Sequence, residues 1–250
     1  MKIAAIYRYP VKGLSPESVP EVVLSAGAAL PQDRRFAITH GATRFDAAAP
    51  QWLRKTNFLM LMRNERLARL KTRFDDASDV LTVERDGKIE CRANLSQAVG
   101  RKTLEQFIAA FLGAETHGTP RLVEAPGHVF SDDGGAVVSL INMASVSDLE
   151  RVVRAPVDPL RFRGNVHVEG AAPWQEFTWI DRILTIGPAR LKVQRRIRRC
   201  AATNVDPVTA RRDLNLPLGL QDGFGHTDMG VYAEVIVGGA IKLGDELTPG

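Results

Sequence analysis

The stretch "VLTVERDGKIECRA", Val80–Ala93, reads as two short strands around a tight turn. Apolar and β-branched residues alternate with polar ones on both sides of Asp86-Gly87, a dipeptide that tolerates the positive φ angles of a two-residue hairpin. Working outward, the same signature recurs. "KIAAIYRYPV" and "RRFAITH" precede it; "PRLVEA", "AVVSLIN", "GNVHVEG", "ILTIG", "ARLKVQRRI", "GVYAEVIVGG" and "AIKLGDELTP" follow it. Each is short and punctuated by Gly, Pro or Asp. Helical spacing is clear in two places. Leu104, Phe107, Ile108, Phe111 and Leu112 share one helix face, with Thr103 and Gln106 as a capping box and Gly113 as the stop. "ASVSDLERVV" puts Val146, Leu149 and Val153 on another. Many strands and few helices predict a mainly β (α+β) chain of barrel type. A seam near Ala114–Gly118 divides it into a β-rich unit over 1–115 and a second over 116–250.

Composition narrows the function classes. The chain has 250 residues, a net charge of +4 and two cysteines, Cys91 and Cys200. A mildly basic balance suits an anionic ligand. Two cysteines do not make a disulfide scaffold, and no Cys-x-x-Cys pair or His spacing points to zinc. The first residues lack a signal-peptide core, and no apolar run is long enough to span a bilayer. A cytoplasmic, reducing location is therefore expected.

One cluster needs a partner. "RRIRRC", Arg195–Cys200, puts four arginines just before a cysteine. Such crowding is self-repulsive, and positive charge beside a thiol favours its thiolate. A charge run alone also fits a solvated face, and a lone cysteine a small buried apolar residue. Strand parity sets Leu191, Val193, Arg195 and Ile197 on one face and Lys192, Gln194, Arg196, Arg198 and Cys200 on the other. A bulge would change that assignment. Cys91, in a strand pattern, reads as structural. Asp206-Pro207 reads as a turn. Glu176, between Trp174 and Trp179, fits either a solvated acid or a shifted one near a substrate.

Ordered motifs through the second half resemble the MOSC domain, named for the C-terminal domain of molybdenum-cofactor sulfurase. They are "RFRGNVHVEG" (Arg161–Gly170), "PWQEFTW" (Pro173–Trp179), "LTIGPARLKV", "RRCAATNVDPVTA" (Arg198–Ala210), "MGVYAEVIVGG" (Met229–Gly239) and "IKLGDEL" (Ile241–Leu247). "YPVKGL" (Tyr9–Leu14) and "QDRRFAIT" (Gln32–Thr39) resemble the β-barrel domain preceding it in the amidoxime-reducing components and their bacterial relatives. The resemblance implies a MOSC-type β-barrel after a smaller β-rich domain, and a molybdenum–molybdopterin cofactor rather than pyridoxal phosphate. Cys200 would be the catalytic molybdenum ligand. Lys12, Arg34, Ser145, Arg163 and Asn165 match cofactor-contacting positions, and Arg199 and Thr203 flank the ligand. The implied activity is two-electron reduction of N-hydroxylated or N-oxide compounds. Electrons would come from an external ferredoxin-, flavodoxin- or cytochrome-type protein with its reductase, since the chain has no cysteines to spare for an iron–sulfur centre.

The chain departs from the family pattern in three places. Gly13 stands where several relatives have serine, Gly164 where many have proline, and "TRFDAAAPQWLRK" (Thr43–Lys55) where an Arg-Gln stretch is expected. Two other functions fit parts of the sequence. One is a non-redox carrier of molybdenum cofactor, or of sulfur as a Cys200 persulfide. The other is a nucleic-acid-binding barrel, disfavoured because no aromatic residue lies between Arg195 and Cys200.

Overall fold

The computed structural model describes residues 1–250 and is mainly β, with three α-helices. The first half contributes strands β1 (Lys2–Arg8), β2 (Glu17–Ser18), β3 (Glu21–Leu24), β4 (Ala37–Thr39), β5 (Lys71–Asp75), β6 (Val80–Arg85) and β7 (Lys88–Asn94), then helix α1 (Ala98–Leu112). Next come β8 (Arg121–Val123), β9 (Val138–Asn142), α2 (Met143–Val153), β10 (Val166–Glu169), β11 (Ile183–Ile186) and β12 (Ala189–Arg198). The chain closes with α3 (Leu216–Phe224), β13 (Asp228–Val237), β14 (Gly239–Lys242) and β15 (Leu247–Pro249). No helix is long and apolar enough to cross a membrane.

A curled eight-stranded sheet runs β15-β11-β12-β13-β9-β10-β1-β2. Its pairs are antiparallel except β9–β10, which are parallel and joined by α2 as the crossover that parallel strands require. Strands β5, β6 and β7 form a separate meander, with the Asp86-Gly87 hairpin in the expected place and both residues at positive φ. Two main cores result. Leu81, Val83, Phe74, Leu104 and Ile108 pack under the meander and α1. Ile3, Ile6, Val138, Val166, Leu191 and Val231 fill the curled sheet. Sheet membership crosses the middle of the chain, since β1 pairs with β10 and β3 with β14. The segment after Cys200 returns the exchange, because Val205 and Ala210 are buried in the core beneath the meander.

Three local expectations are corrected. Helix α1 starts at Ala98, five residues before the expected capping box, and the Thr103 hydroxyl donates to the Val99 carbonyl (2.9 Å) instead of capping. Gly100 permits the early start: a Cβ there would lie 2.0 Å from the Asn94 carbonyl oxygen at the end of β7. Helix α3 was not expected; its signals are an Asn215 cap and Pro217 in the first turn. In β12 the register against β13 shifts three times, between Arg190 and Leu191, between Val193 and Arg195 and between Arg196 and Arg198. These bulges leave Arg195 exposed among partners that parity alone would bury, while Leu191, Val193 and Ile197 stay inside.

His167 of β10 gives the fold a measurable acid sensitivity. It is buried, its Nε2 has no hydrogen-bond partner, and burial pushes its pKa down to about 4. The folded value lies below the ordinary value of 6.5, so the unfolded chain takes up a proton that the fold excludes. Stability is therefore expected to fall as pH drops from 6.5 towards 4, by roughly 3 kcal/mol across the window. Urea unfolding at pH 7 and pH 4.5 should show most of this loss removed in His167→Leu. An unchanged pH dependence would assign the acid sensitivity to other groups.

Candidate active site

Two elements meet at Cys200. Strand β12 delivers it from the C-terminal half, and a 3-10 turn, Ala201–Asn204, follows it at once. The Cys200 carbonyl accepts from the backbone N–H of Thr203 (3.0 Å) and from its hydroxyl (3.0 Å). Thr203 thus fixes the turn that presents the cysteine. Both cysteines are free; Cys91 is buried and Cys200 half-buried.

Cys200 lies on the wall of a cleft of about 520 Å³. Lys12, Arg34, Arg163, Asn165, Arg199 and Thr203 line the same cleft, so seven of the eight expected residues converge. Ser145 does not. It is fully buried at the start of α2, where its hydroxyl donates to Glu176 Oε2 (2.9 Å) and accepts from the Trp174 N–H (2.8 Å). Glu176 is neither solvated nor on the cleft wall. Burial raises its pKa, and Asn142 and Ser145 donate to it. Asp206 is the turn residue expected, accepting from the N–H groups of Val208 and Thr209 and from Arg161.

The charge on the wall is lopsided. Nine cations, Lys12, Arg34, Lys55, Arg161, Arg163 and Arg195 with Arg196, Arg198 and Arg199, face three carboxylates, Asp33, Asp132 and Asp133. Some are neutralised locally. Arg34 pairs with Asp33, Lys12 with Asp132 and Arg195 with Asp133. Arg161 binds Asp213 (2.8 Å) and Asp206 (3.0 Å) behind the wall. Arg163 and Arg199 have no carboxylate. Arg163 donates to the Leu14 carbonyl (2.8 Å) and lies over the Tyr9 ring. Arg199 donates to the carbonyls of Phe162 (2.8 Å) and Met229 (2.9 Å). Burial lowers both guanidinium pKa values to about 10. Two half-buried cations held in place by neutral carbonyls make an arrangement that suits an anion.

In the arginine run, the side chains of three of the four arginines have partners, and Arg198 is exposed without one. Arg195 turns to Asp133 and the Tyr232 ring, Arg196 lies 4.2 Å from the Phe177 ring centre, and Arg199 folds inward. Asn165 is tied down: its Oδ1 accepts from the Ser139 N–H and hydroxyl, and its Nδ2 donates to the Tyr7 carbonyl (3.1 Å). It holds β1, β9 and β10 together behind the cleft.

The departures at the two glycines have steric causes. Gly13 has φ of +87°, and a Cβ there would lie 2.7 Å from the Leu59 carbonyl oxygen. A Cβ on Gly164 would lie 2.3 Å from Ile141 Cγ1. Neither site accepts the family's commoner residue without movement of its neighbours.

Sequence reading missed Lys55, Asp132, Asp133 and Tyr232. Lys55 lies in the divergent Thr43–Lys55 segment, and the two aspartates lie in "SDDGG" (Ser131–Gly135), a polar turn next to a strand that carries no further signal. Burial opposes the charge on Lys55, but its nearness to Cys200 and Asp132 outweighs that and raises its pKa.

The chain offers one sulfur to a metal and no cluster of three or more His, Cys, Asp or Glu side chains that could hold an ion. A metal bound at Cys200 would need most of its donors from an organic ligand. The anion receptor beside Cys200 and a cleft within the usual size range of cofactor sites fit such a ligand.

Two family models match the chain and together span nearly all of it. The MOSC domain model matches residues 115–248, and the MOSC N-terminal beta barrel domain model matches residues 1–119. Mitochondrial amidoxime reducing component 2 of Bos taurus is 30% identical over 120 residues, covering 43% of this chain and 35% of that protein. Among solved structures, the YUAD protein from Bacillus subtilis has a TM-score of 0.46 at 12% identity, over 98% of this chain and 93% of that one. YiiM from Geobacillus stearothermophilus has a TM-score of 0.37 at 20% identity, over 47% and 56%.

Proposed function

Because the chain belongs to the MOSC domain family, we propose that the cleft beside Cys200 holds a molybdenum–molybdopterin cofactor and reduces N-hydroxylated or N-oxide compounds. The observation that carries this reading is the pair of half-buried, carboxylate-free guanidiniums, Arg163 and Arg199, beside a free thiol. When bound, the cofactor supplies two-electron oxygen-atom transfer chemistry. The overall reaction balances as R–NH–OH plus two electrons and two protons giving R–NH₂ and water. Electrons come from a separate ferredoxin-, flavodoxin- or cytochrome-type protein.

The chain's own residues bind, orient and shield. Cys200 is the protein's sulfur donor, and a soft thiolate suits a metal that prefers sulfur. Thr203 holds the backbone of that donor in its turn. Arg163 and Arg199 hold the anionic groups of the pterin ligand, with Lys12 and Arg34 as partly neutralised support. Asn165 keeps the strands behind the cleft in register.

Protein made in a host that synthesises molybdopterin is expected to carry about one molybdenum and one pterin per chain. With a reduced viologen as electron source it should convert benzamidoxime to benzamidine. A folded chain free of metal and pterin would overturn the reading. A loaded chain without turnover on any N–O substrate would favour a cofactor carrier.

A further inference from the structure

We infer that Lys55 selects substrates that bring a negative charge to the cleft beside Cys200, such as N-hydroxylated aromatic compounds carrying a carboxylate. This rests on the reading of the cleft as the place where an N–O bond is reduced, and it names the substrate class.

Geometry separates Lys55 from the other cations on the wall. It comes from the 3-10 turn Lys55–Asn57 in the first half of the chain, whereas Cys200 is delivered by β12 in the second half. Its Nζ lies 4.0 Å from Asp132 Oδ2, and the other oxygen of that carboxylate is already taken by Lys12. One carboxylate therefore answers two ammoniums. Lys12 is the saturated one: its side chain is 9% exposed and also donates to the Phe130 carbonyl (2.8 Å). Lys55 is 33% exposed and loosely held, with donors left for an incoming group. Arg163 and Arg199 are fixed on carbonyls and Arg196 lies on Phe177, while Arg198, also exposed, projects from the strand of Cys200 itself rather than from the first half of the chain. Lys55 is thus a partly exposed charge on a flexible stem in the cleft wall, where it can follow a ligand.

Trp52, three residues before Lys55, is 48% exposed. Its ring packs on the loop that carries Asp132 and Asp133: a Cβ on Gly134 would lie 2.9 Å from Trp52 Cδ1. Trp52 lies outside the cleft wall, so the charge of Lys55 and not an aromatic face carries the selectivity.

The anion that meets Lys55 could instead belong to the cofactor, so two measurements are paired. In cofactor-free full-length protein, Cys200 is alkylated by iodoacetate or by iodoacetamide, and the rate is followed by mass at the Cys200 peptide. In both reactions the sulfur–carbon bond forms as iodide leaves, so the ratio of the two rates cancels the thiolate fraction and reports the local charge. Lys55→Gln should lower the iodoacetate-to-iodoacetamide ratio about tenfold, as expected for loss of one nearby charge in a partly screened site. Lys55→Arg should keep it. In loaded protein, Lys55→Gln should lower kcat/KM for 4-carboxybenzamidoxime about tenfold relative to benzamidoxime, with molybdenum and pterin content unchanged. An unmoved alkylation ratio overturns the inference. So does a loss of pterin in Lys55→Gln, which would make Lys55 a cofactor anchor. Failure of the molybdenum reading would appear separately, as wild-type protein without metal, and the alkylation ratio would still judge Lys55.

Discussion

Replacing Cys200 by serine is expected to remove N–O reductase turnover by at least two orders of magnitude and to strip most of the molybdenum. The serine hydroxyl is a harder and far less acidic donor than the thiol, so it does not replace a thiolate at a sulfur-preferring metal. No other side chain can substitute. Cys91, the second cysteine, is 6% exposed within the core of the N-terminal meander, where burial raises its pKa. Pterin should fall less than metal, because Arg163 and Arg199 remain in place. The fold should persist, since the turn after residue 200 is made by the backbone carbonyl and Thr203 rather than by the thiol. Metal analysis, pterin fluorescence and circular dichroism on the same preparation check each part. Serine variants that keep wild-type metal and turnover would remove Cys200 from the site.

Much of the fold was legible because its signals are local. Asp86-Gly87 specifies a hairpin by backbone conformation alone, and Val146 with Leu149 marks the buried face of α2. What escaped depends on contacts between distant residues. The start of α1 is set by the close approach of Gly100 to Asn94, which no capping pattern records. The register shifts on either side of Arg195 are properties of the pairing of β12 with β13, so parity along one strand misplaces Arg195. The candidate site divides the same way. Cys200 and the arginines around it announce themselves as a charge cluster, whereas Asp132, Asp133 and Lys55 become cleft residues only when two loops far apart in the chain fold together. Ser145 shows the opposite failure: its motif is present, yet packing turns its hydroxyl to Glu176.

The relative importance of the cleft cations follows from their partners. Sequence alone ranks Lys12 and Arg34 with Arg163, as three basic residues that could meet one phosphate. In the fold the first two are already paired. Removing Arg34 would leave Asp33, 4% exposed and accepting from the Tyr9 N–H (2.8 Å), as a buried carboxylate without its cation. Arg34→Ala is therefore expected to destabilise the protein by roughly 3–5 kcal/mol, and any loss of cofactor would follow from the fold. Lys12→Ala should be milder, because Lys55 is already 4.0 Å from Asp132. Arg163 is different. Its guanidinium pKa is lowered to about 10 from 12.5, so at neutral pH the folded chain holds a charge that the unfolded chain holds more easily. An anion in the cleft offsets that cost. Arg163→Gln should accordingly weaken cofactor binding by about 1.5–3 kcal/mol, or one to two decades in affinity. The melting temperature of the cofactor-free protein should meanwhile stay level or rise, since the lost hydrogen bond to Leu14 is set against relief of the buried charge. Pterin retained through dialysis, measured beside thermal unfolding of the cofactor-free chain, distinguishes the cases. Arg34→Ala should lose both stability and pterin, whereas Arg163→Gln should lose pterin alone. If Arg163→Gln instead unfolds the chain while the remaining folded fraction keeps its cofactor, Arg163 is a structural arginine and the anion receptor lies elsewhere on the cleft wall.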